Sequence, residues 1–375
     1  MAKPLRIGVN ALFLIPGGVG GTEVSLRNLL AAIARNPRGH EFVVFLNRET
    51  GPDLVPAQAG FRAVQTGVPA TSRPRRIVYE QTQLPRDVRA AEIDVLFNPG
   101  FTSPWFLSCP NVTIIHDLQH HHHPEFFKRT DLLAWRLLVW ASIKWSQHIL
   151  AVSDATREDI HATYGVPLDR ITTAEPGVEP DFFFLKRRDD TPLILCVSTL
   201  HPHKNIERLI DAFAAFRTSR PEYRLVLAGM RGFHADAVER RIGHHGLKRE
   251  ISLTGWISRD AILDLYARAQ FAVFPSMFEG FGMPVAEAMA AGVPLITSNI
   301  RPMTDIAAGT ALLFPPADTQ ALTTAMERLA GSLALRAEFA SLARQRAAIF
   351  TWERTAGITL DTLEQAARDQ PDFRS

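Results

Sequence analysis

The sequence predicts an α/β protein of two tandem doubly wound, Rossmann-like domains with a cleft between them. Three observations carry this. A chain of 375 residues exceeds one ordinary hydrophobic core and suits two. Short apolar runs bounded by turn residues alternate with segments of helical spacing, the pattern of a parallel sheet crossed by helices. The alternation lapses at 173–184, TAEPGVEPDFFF, followed after Leu185 by KRRDD, and then resumes.

In the first half, the β-rich run 5–13 ends in PGGVGGTE, and 24–34 follows with Leu26, Leu29, Leu30 and Ile33 at helical spacing. Further strands are expected at 41–46, 95–97, 112–115 and 148–152. The lapse is read as the interdomain linker, giving a first domain at 1–178 and a second at 185–350. The second series of strands is expected at 193–198, 224–229, 251–254, 271–275, 294–297 and 311–314. From Trp352 to about Arg368 the spacing is helical with no further strand. The tail, 351–375, is therefore expected to pack back toward the first domain.

Composition narrows the function classes. Apolar residues make up 46% and charged residues 21%, as in an ordinary globular protein. Net charge is +2, with 18 basic against 17 acidic residues up to Pro180 and 23 against 22 beyond it. Neither half offers the concentrated positive face that nucleic acid requires. The local cluster Arg73, Arg75 and Arg76 reads first as a solvated loop, with an anionic acceptor or a membrane surface as its functional alternative. Cys109 and Cys196 have no motif spacing, so neither a disulfide framework nor a thiolate metal site is expected. The first residues read as a buried strand rather than a secretory leader, and no stretch approaches the roughly 20 apolar residues that span a bilayer. A cytoplasmic protein is expected, or one held at the inner face of the membrane.

The strongest chemical signal is PSMFEGFGMPVAEAMAAGVP at 275–294, with Glu279 and Glu287 eight residues apart. Gly280 and Gly282 permit a tight loop after a strand, Pro284 suits a first helical turn, and Gly292 suits the residue past its end. Such a loop presents backbone N–H groups and a positive helix terminus at the carboxyl edge of a parallel sheet, where a diphosphate is well accommodated. Glu279 falls just before the helix and Glu287 about one turn inside it. The bland alternative is that both are acidic helix-start residues.

Lys204 follows the strand at 193–198, where a cation can neutralise a leaving diphosphate. Gly20-Gly21-Thr22 opens the first helix. It is not a dinucleotide fingerprint, because Gly18-Val-Gly20 is followed by Glu23 where the last glycine would fall. His116-Asp117 ends the strand at 112–115, at the edge where such sheets hold ligands. His120–His123 is the one low-complexity patch. Consecutive residues cannot all face one ion, so it is read as a mobile loop near the acceptor.

With GGTEVSLRNLL, IIHD, STLHPHKNIERLIDAF, LTGWISRDAILDLYARAQ and the Trp352 tail, these motifs make the chain resemble the family-four retaining glycosyltransferases of GT-B fold, in particular their bacterial mannosyltransferase-like branch. The resemblance covers nearly the whole chain. It implies transfer of a mannose or glucose type hexose, with retention, from a nucleoside-diphosphate sugar to a glycan, lipid-linked or small-molecule acceptor. The acceptor would lie on the first domain and the donor on the second. It implies catalytic roles for Glu279 and His116, and donor contacts from Gly20, Gly21, Thr199, Lys204, Glu279, Phe281, Gly282, Met283 and Glu287. Glu279 would serve the transferred sugar and reacting centre, Glu287 the donor ribose. No metal and no cofactor beyond the donor are expected. The chain departs from the family pattern at Ser198 and His203, which stand for the usual glycine and arginine. A catalytically inactive nucleotide-sugar-binding scaffold and a nucleotide-sugar epimerase are the alternatives.

Overall fold

The computed structural model describes residues 3–17, 20–188 and 191–369, except for the side chains of 129 and 130. Gly18 and Val19 of the glycine turn, Asp189 and Asp190 of the charged stretch, and the end of the tail lie outside the described residues. The chain forms two compact units, one drawn from Met1–Gly177 and Thr351–Ser375, the other from Val178–Phe350.

The first unit holds a parallel sheet of β1 (Arg6–Ala11), β2 (Glu41–Leu46), β3 (Phe61–Gln65), β4 (Val95–Asn98), β5 (Asn111–Ile115), β6 (His148–Ala151) and β7 (Ile171–Thr173), in the spatial order β3-β2-β1-β4-β5-β6-β7. β1, β2 and β4–β6 are almost wholly buried, which is why each is a near-continuous apolar run. β3 and β7 were not expected. They are the two edge strands; β3, FRAVQ, has no fully buried residue, and β7 is three residues long. Neither leaves the apolar signature of a central strand.

The helix Gly21–Arg35 buries the expected Leu26, Leu29, Leu30 and Ile33. The tail helix Trp352–Arg368 belongs to this first unit, burying Trp352, Leu360 and Leu363 against the first helix and the sheet. Arg38 reaches its outer face at Asp361 (2.6 Å) and Glu364 (3.1 Å). Gly177 lets the chain enter this packing closely, since a Cβ there would lie 2.1 Å from the Trp352 nitrogen.

The second unit holds β8 (Leu193–Val197), β9 (Arg224–Ala228), β10 (Ile251–Gly255), β11 (Phe271–Phe274), β12 (Leu295–Ser298) and β13 (Leu312–Phe314), all parallel, in the order β10-β9-β8-β11-β12-β13. Both sheets are Rossmann-like, and the strand order reverses between β1 and β4 in one and between β8 and β11 in the other. The second unit opens earlier than the linker reading allowed. Residues from 178 on are packed onto it: Val178 and Phe182 are buried, the Phe182 ring lies edge-on to Tyr266, and Arg259 lies over the Phe182 ring and pairs with Glu179. Of the FFF run Phe182 belongs to the core of this unit, whereas Phe184 is exposed.

Candidate functional site

In a doubly wound sheet the loops leaving the strands on either side of the order reversal diverge and open a crevice. In the second unit these are the loops after β8 and β11, and they carry Lys204 and Glu279. Lys204 ends a single helical turn, Pro202–Lys204. The next residue, Asn205, turns left-handed (φ 57°) and donates to the carbonyls of Pro275 (3.0 Å) and Pro316 (2.8 Å). The Met277 N–H donates to His203 O at 2.7 Å, so the two loops are stitched side by side. Gly229 and Gly232 hold the next loop close, because a Cβ at either would lie 2.3 Å from the carbonyl oxygen of Ser198 or Leu200.

Across this join Lys204 Nζ meets Glu279 Oε1 at 2.5 Å, and the Ser276 hydroxyl donates to the same oxygen at 2.7 Å. Burial alone would raise the Glu279 carboxyl. The charges of Lys204 and His203 and the hydrogen bonds from Lys204 and Ser276 outweigh it, holding the group below the usual carboxylate range. Both side chains keep a little exposure, 19% for Lys204 and 16% for Glu279, and face one pocket with Ser198, Ser276, Gly282 and Met303. His203, at the position of the missing arginine, lies near enough to Glu279 to act on its charge.

The helix Met283–Ala290 starts at this pocket. Gly282 precedes it at φ 118°, a conformation that calls for glycine, and a Cβ there would have to displace the end of Met303, whose Cε would lie at 2.3 Å. Phe281 turns its ring inward against Phe350 (5.6 Å), leaving only its backbone for a ligand. Met283 is the first helical residue and its N–H has no acceptor within the helix. Thr199 does not line the pocket; its carbonyl accepts from His201 N–H (2.9 Å) and the Ser198 hydroxyl (3.0 Å).

Glu287 sits one turn into the helix and outside the Glu279 pocket. Its Oε2 accepts from the buried Tyr266 hydroxyl at 3.1 Å. Burial pushes its carboxyl up to about 7, against the pull of Arg259 and of the Tyr266 hydrogen bond. No acidic residue occupies the first turn. The two glutamates are therefore unlike one another and neither is a helix-start charge. Sequence reasoning missed Ser276, Tyr266 and Arg259. All three lay in quoted motifs, Ser276 beside Glu279, whereas Tyr266 and Arg259 are brought to Glu287 only by the fold.

In the first unit, Gly20 (φ 58°) caps the first helix through its carbonyl and Gly21 begins it; among the described residues a Cβ at either would meet nothing within 4 Å. His116 leaves β5 and donates from Nε2 to the Pro99 carbonyl at 2.8 Å, since a carbonyl can only accept. Burial pushes its imidazole below the usual value, so the neutral ring carries its lone pair on Nδ1. Its ring packs 4.9 Å from that of Phe101, a non-glycine residue at φ 68°, which in turn packs 5.6 Å from Trp135.

Two readings of this unit need correction. Arg73, Arg75 and Arg76 are not in a loop but start the helix Arg73–Thr82: Arg76 is buried beside Glu80 (3.5 Å) and Arg73 lies over the Trp135 ring (4.5 Å). His120–His123 is no mobile loop. Gln119–His122 forms a helical turn in which buried His120 meets the Tyr164 hydroxyl (3.2 Å) and His122 meets both oxygens of Asp159 (2.8 Å), while His123 meets Glu125 (2.9 Å). Three of the four imidazoles have partners of their own. Among the described residues no three His, Cys, Asp or Glu side chains gather as a metal site.

Comparison with known proteins agrees with this arrangement. Residues 178–346 match the family described as Glycosyl transferases group 1, and residues 19–182 match Glycosyltransferase Family 4. The chain belongs to these glycosyltransferases and is an enzyme of that class, which disfavours the epimerase and the scaffold. It is 26% identical over 282 residues to the O-antigen chain mannosyltransferase B of Escherichia coli, covering 72% of this chain and 74% of that protein. It is 29% identical over 220 residues to the O-antigen chain mannosyltransferase RfbU of Salmonella typhimurium, covering 58% of this chain and 61% of that protein. The sucrose-phosphate synthase of Thermosynechococcus elongatus superposes with a TM-score of 0.80 at 19% identity, over 98% of this chain and 100% of that one. The fold is of the GT-B type.

Glu287 gives a pH signature. Its carboxyl titrates near 7 when folded and near 4.3 when unfolded, at about 1.36 kcal/mol per unit. The folded state thus holds an extra proton between these values, and the stabilisation, fully present below the unfolded pKa, is lost as pH rises through 7. Between pH 5.5 and 8 the wild type should lose about 2 kcal/mol relative to Glu287→Gln, read from urea unfolding. A difference that does not change with pH would show that Glu287 is not buried as described.

Proposed function

We propose that this enzyme transfers a hexose of mannose or glucose type, with retention at the anomeric carbon and without a metal, from a nucleoside-diphosphate sugar to a glycan, lipid-linked or small-molecule acceptor. The observation that carries the reading is the Lys204–Glu279 pair at 2.5 Å beside a glycine-led helix N-terminus. A diphosphate leaving group needs positive charge, and the oxocarbenium-like centre left behind needs negative charge. Lys204 and Glu279 supply the two within one pocket.

In this mechanism the C1–oxygen bond to the diphosphate breaks as the acceptor oxygen bonds to C1 on the same face, and the acceptor proton passes to a diphosphate oxygen. Lys204 and the N–H groups of Phe281, Gly282 and Met283 neutralise the departing phosphates. Gly20 and Gly21 approach the phosphates through open backbone, and Thr199 supports the Lys204 loop. Glu279 stabilises C1 electrostatically. Glu287, once ionised, accepts from the ribose diol. Neutral His116 accepts a hydroxyl hydrogen bond of the transferred sugar or acceptor at Nδ1. The names of the O-antigen mannosyltransferase relatives support mannose as the sugar and a polysaccharide chain as the product. Among the described residues no helix is long and apolar enough to cross a membrane; we place the enzyme in the cytoplasm or at the inner face of the membrane as a peripheral protein.

Turnover should survive EDTA, and Lys204→Met should cost about 2–4 kcal/mol in kcat/KM, the scale of one preorganised donor. Loss of activity in EDTA with recovery on adding magnesium or manganese would refute the metal-free reading. His116→Ala should depress kcat while leaving the affinity for bare nucleoside diphosphate nearly unchanged. A joint fall in melting temperature and nucleotide affinity would instead make His116 a structural residue.

A further inference from the structure

The helix Arg129–Trp145 in the first unit has two apolar faces where a globular protein needs one. Its inner face buries Leu138, Val139, Ala141 and Ile143. Its outer face carries Leu133, Leu137 and Trp140, then Lys144, at the spacing of a single helical stripe. Leu133 is 73% exposed, Leu137 52% and Trp140 44%. The apolar surface extends beyond the stripe, since Trp145, the last residue of the helix (41% exposed), packs edge-on to Trp140 at 5.6 Å and stacks on Trp105 at 6.0 Å. Phe106, the next residue, is 76% exposed. Trp105 N–H donates to Gln81 Oε1 (3.0 Å), which joins this surface to the helix Arg73–Thr82 and its exposed Val78. Four of the six tryptophans in the chain, Trp105, Trp135, Trp140 and Trp145, lie in this region.

Exposed Arg73, Arg75, Lys128 and Lys144 border the patch, against the single acid Asp131 on the helix itself. Apolar patches of this extent mark interaction sites. Indole rings favour the headgroup zone of a bilayer, and basic residues beside them favour anionic lipid. A second copy fits less well, because a two-fold interface would set each copy's cations against those of its mate.

We propose that this face, the Leu133–Leu137–Trp140 stripe with Trp145 and Phe106 and its basic border, lies in the surface of an anionic lipid bilayer and seats the first unit there. The proposal shares with the proposed function only the expectation of work at a membrane. It centres that contact on the outer helix face and keeps Arg73 and Arg75 of the arginine cluster at its border, while Arg76 is buried.

The test is co-sedimentation of the full chain with phosphatidylcholine vesicles containing 30% phosphatidylglycerol, and with vesicles of phosphatidylcholine alone. The wild type should bind the anionic vesicles at least tenfold more tightly, with a blue shift in tryptophan emission. Leu137→Ser/Trp140→Ser, and separately Arg75→Glu/Lys144→Glu, should each weaken binding at least tenfold while donor hydrolysis in lipid-free solution is unchanged. No binding to anionic vesicles, or equal binding by the apolar double variant, overturns the proposal. So does a dimer that the apolar variant converts to monomer with vesicle binding intact. Vesicle binding without any transfer activity would fail the proposed function and leave this one standing.

Discussion

The second unit depends on one constraint: two opposite charges are held 2.5 Å apart at the reversal of strand order, largely out of water. Either charge without the other would be an uncompensated group in a poorly solvated site, which costs several kcal/mol. The chain secures the pair through backbone devices. Asn205 turns left-handed to pin both loops, Gly229 and Gly232 let the neighbouring loop come close, and Gly282 leaves room for Met303. In the proposed function the pair would exchange partners. A diphosphate that takes over Lys204 would release Glu279 toward the sugar, so the site can keep its charges matched when empty and when filled.

The glutamates of the motif differ in state because their surroundings differ. Glu279 is held anionic by Lys204, His203 and Ser276, whereas Glu287, four residues deeper than the helix start, faces a neutral tyrosine hydroxyl and is pushed toward protonation. His203 is part of the same balance. Where the family pattern has an arginine, this chain has a histidine whose charge acts on Glu279.

Much of this was legible in the sequence, and the reasons are physical. Strands buried on both faces leave unbroken apolar runs, so the central strands of both sheets could be read directly, whereas the edge strands β3 and β7 could not. Glycine, proline and glutamate at fixed spacing located the loop after β11 and the helix behind it. What could not be read was contact between distant segments. Tyr266 looks like one more core residue of its helix until the fold sets its hydroxyl on Glu287. Arg259 looks solvated until Phe182 and Glu179 arrive from a stretch taken for a linker. His120–His123 reads as low complexity, yet Tyr164, Asp159 and Glu125 tie down three of its four rings one by one.

The central claim is that Glu279 acts on the reacting sugar and, in the empty site, restrains Lys204. The direct test titrates bare nucleoside diphosphate into wild type and Glu279→Gln by calorimetry and measures sugar transfer by both. Transfer should fall by about 10²–10³, the scale of a lost electrostatic contact to the transition state, while nucleoside diphosphate binds as tightly or more tightly because Lys204 is freed. If affinity for the bare diphosphate falls in step with transfer, Glu279 serves the pocket as a whole and the assignment of separate roles to the pair is wrong.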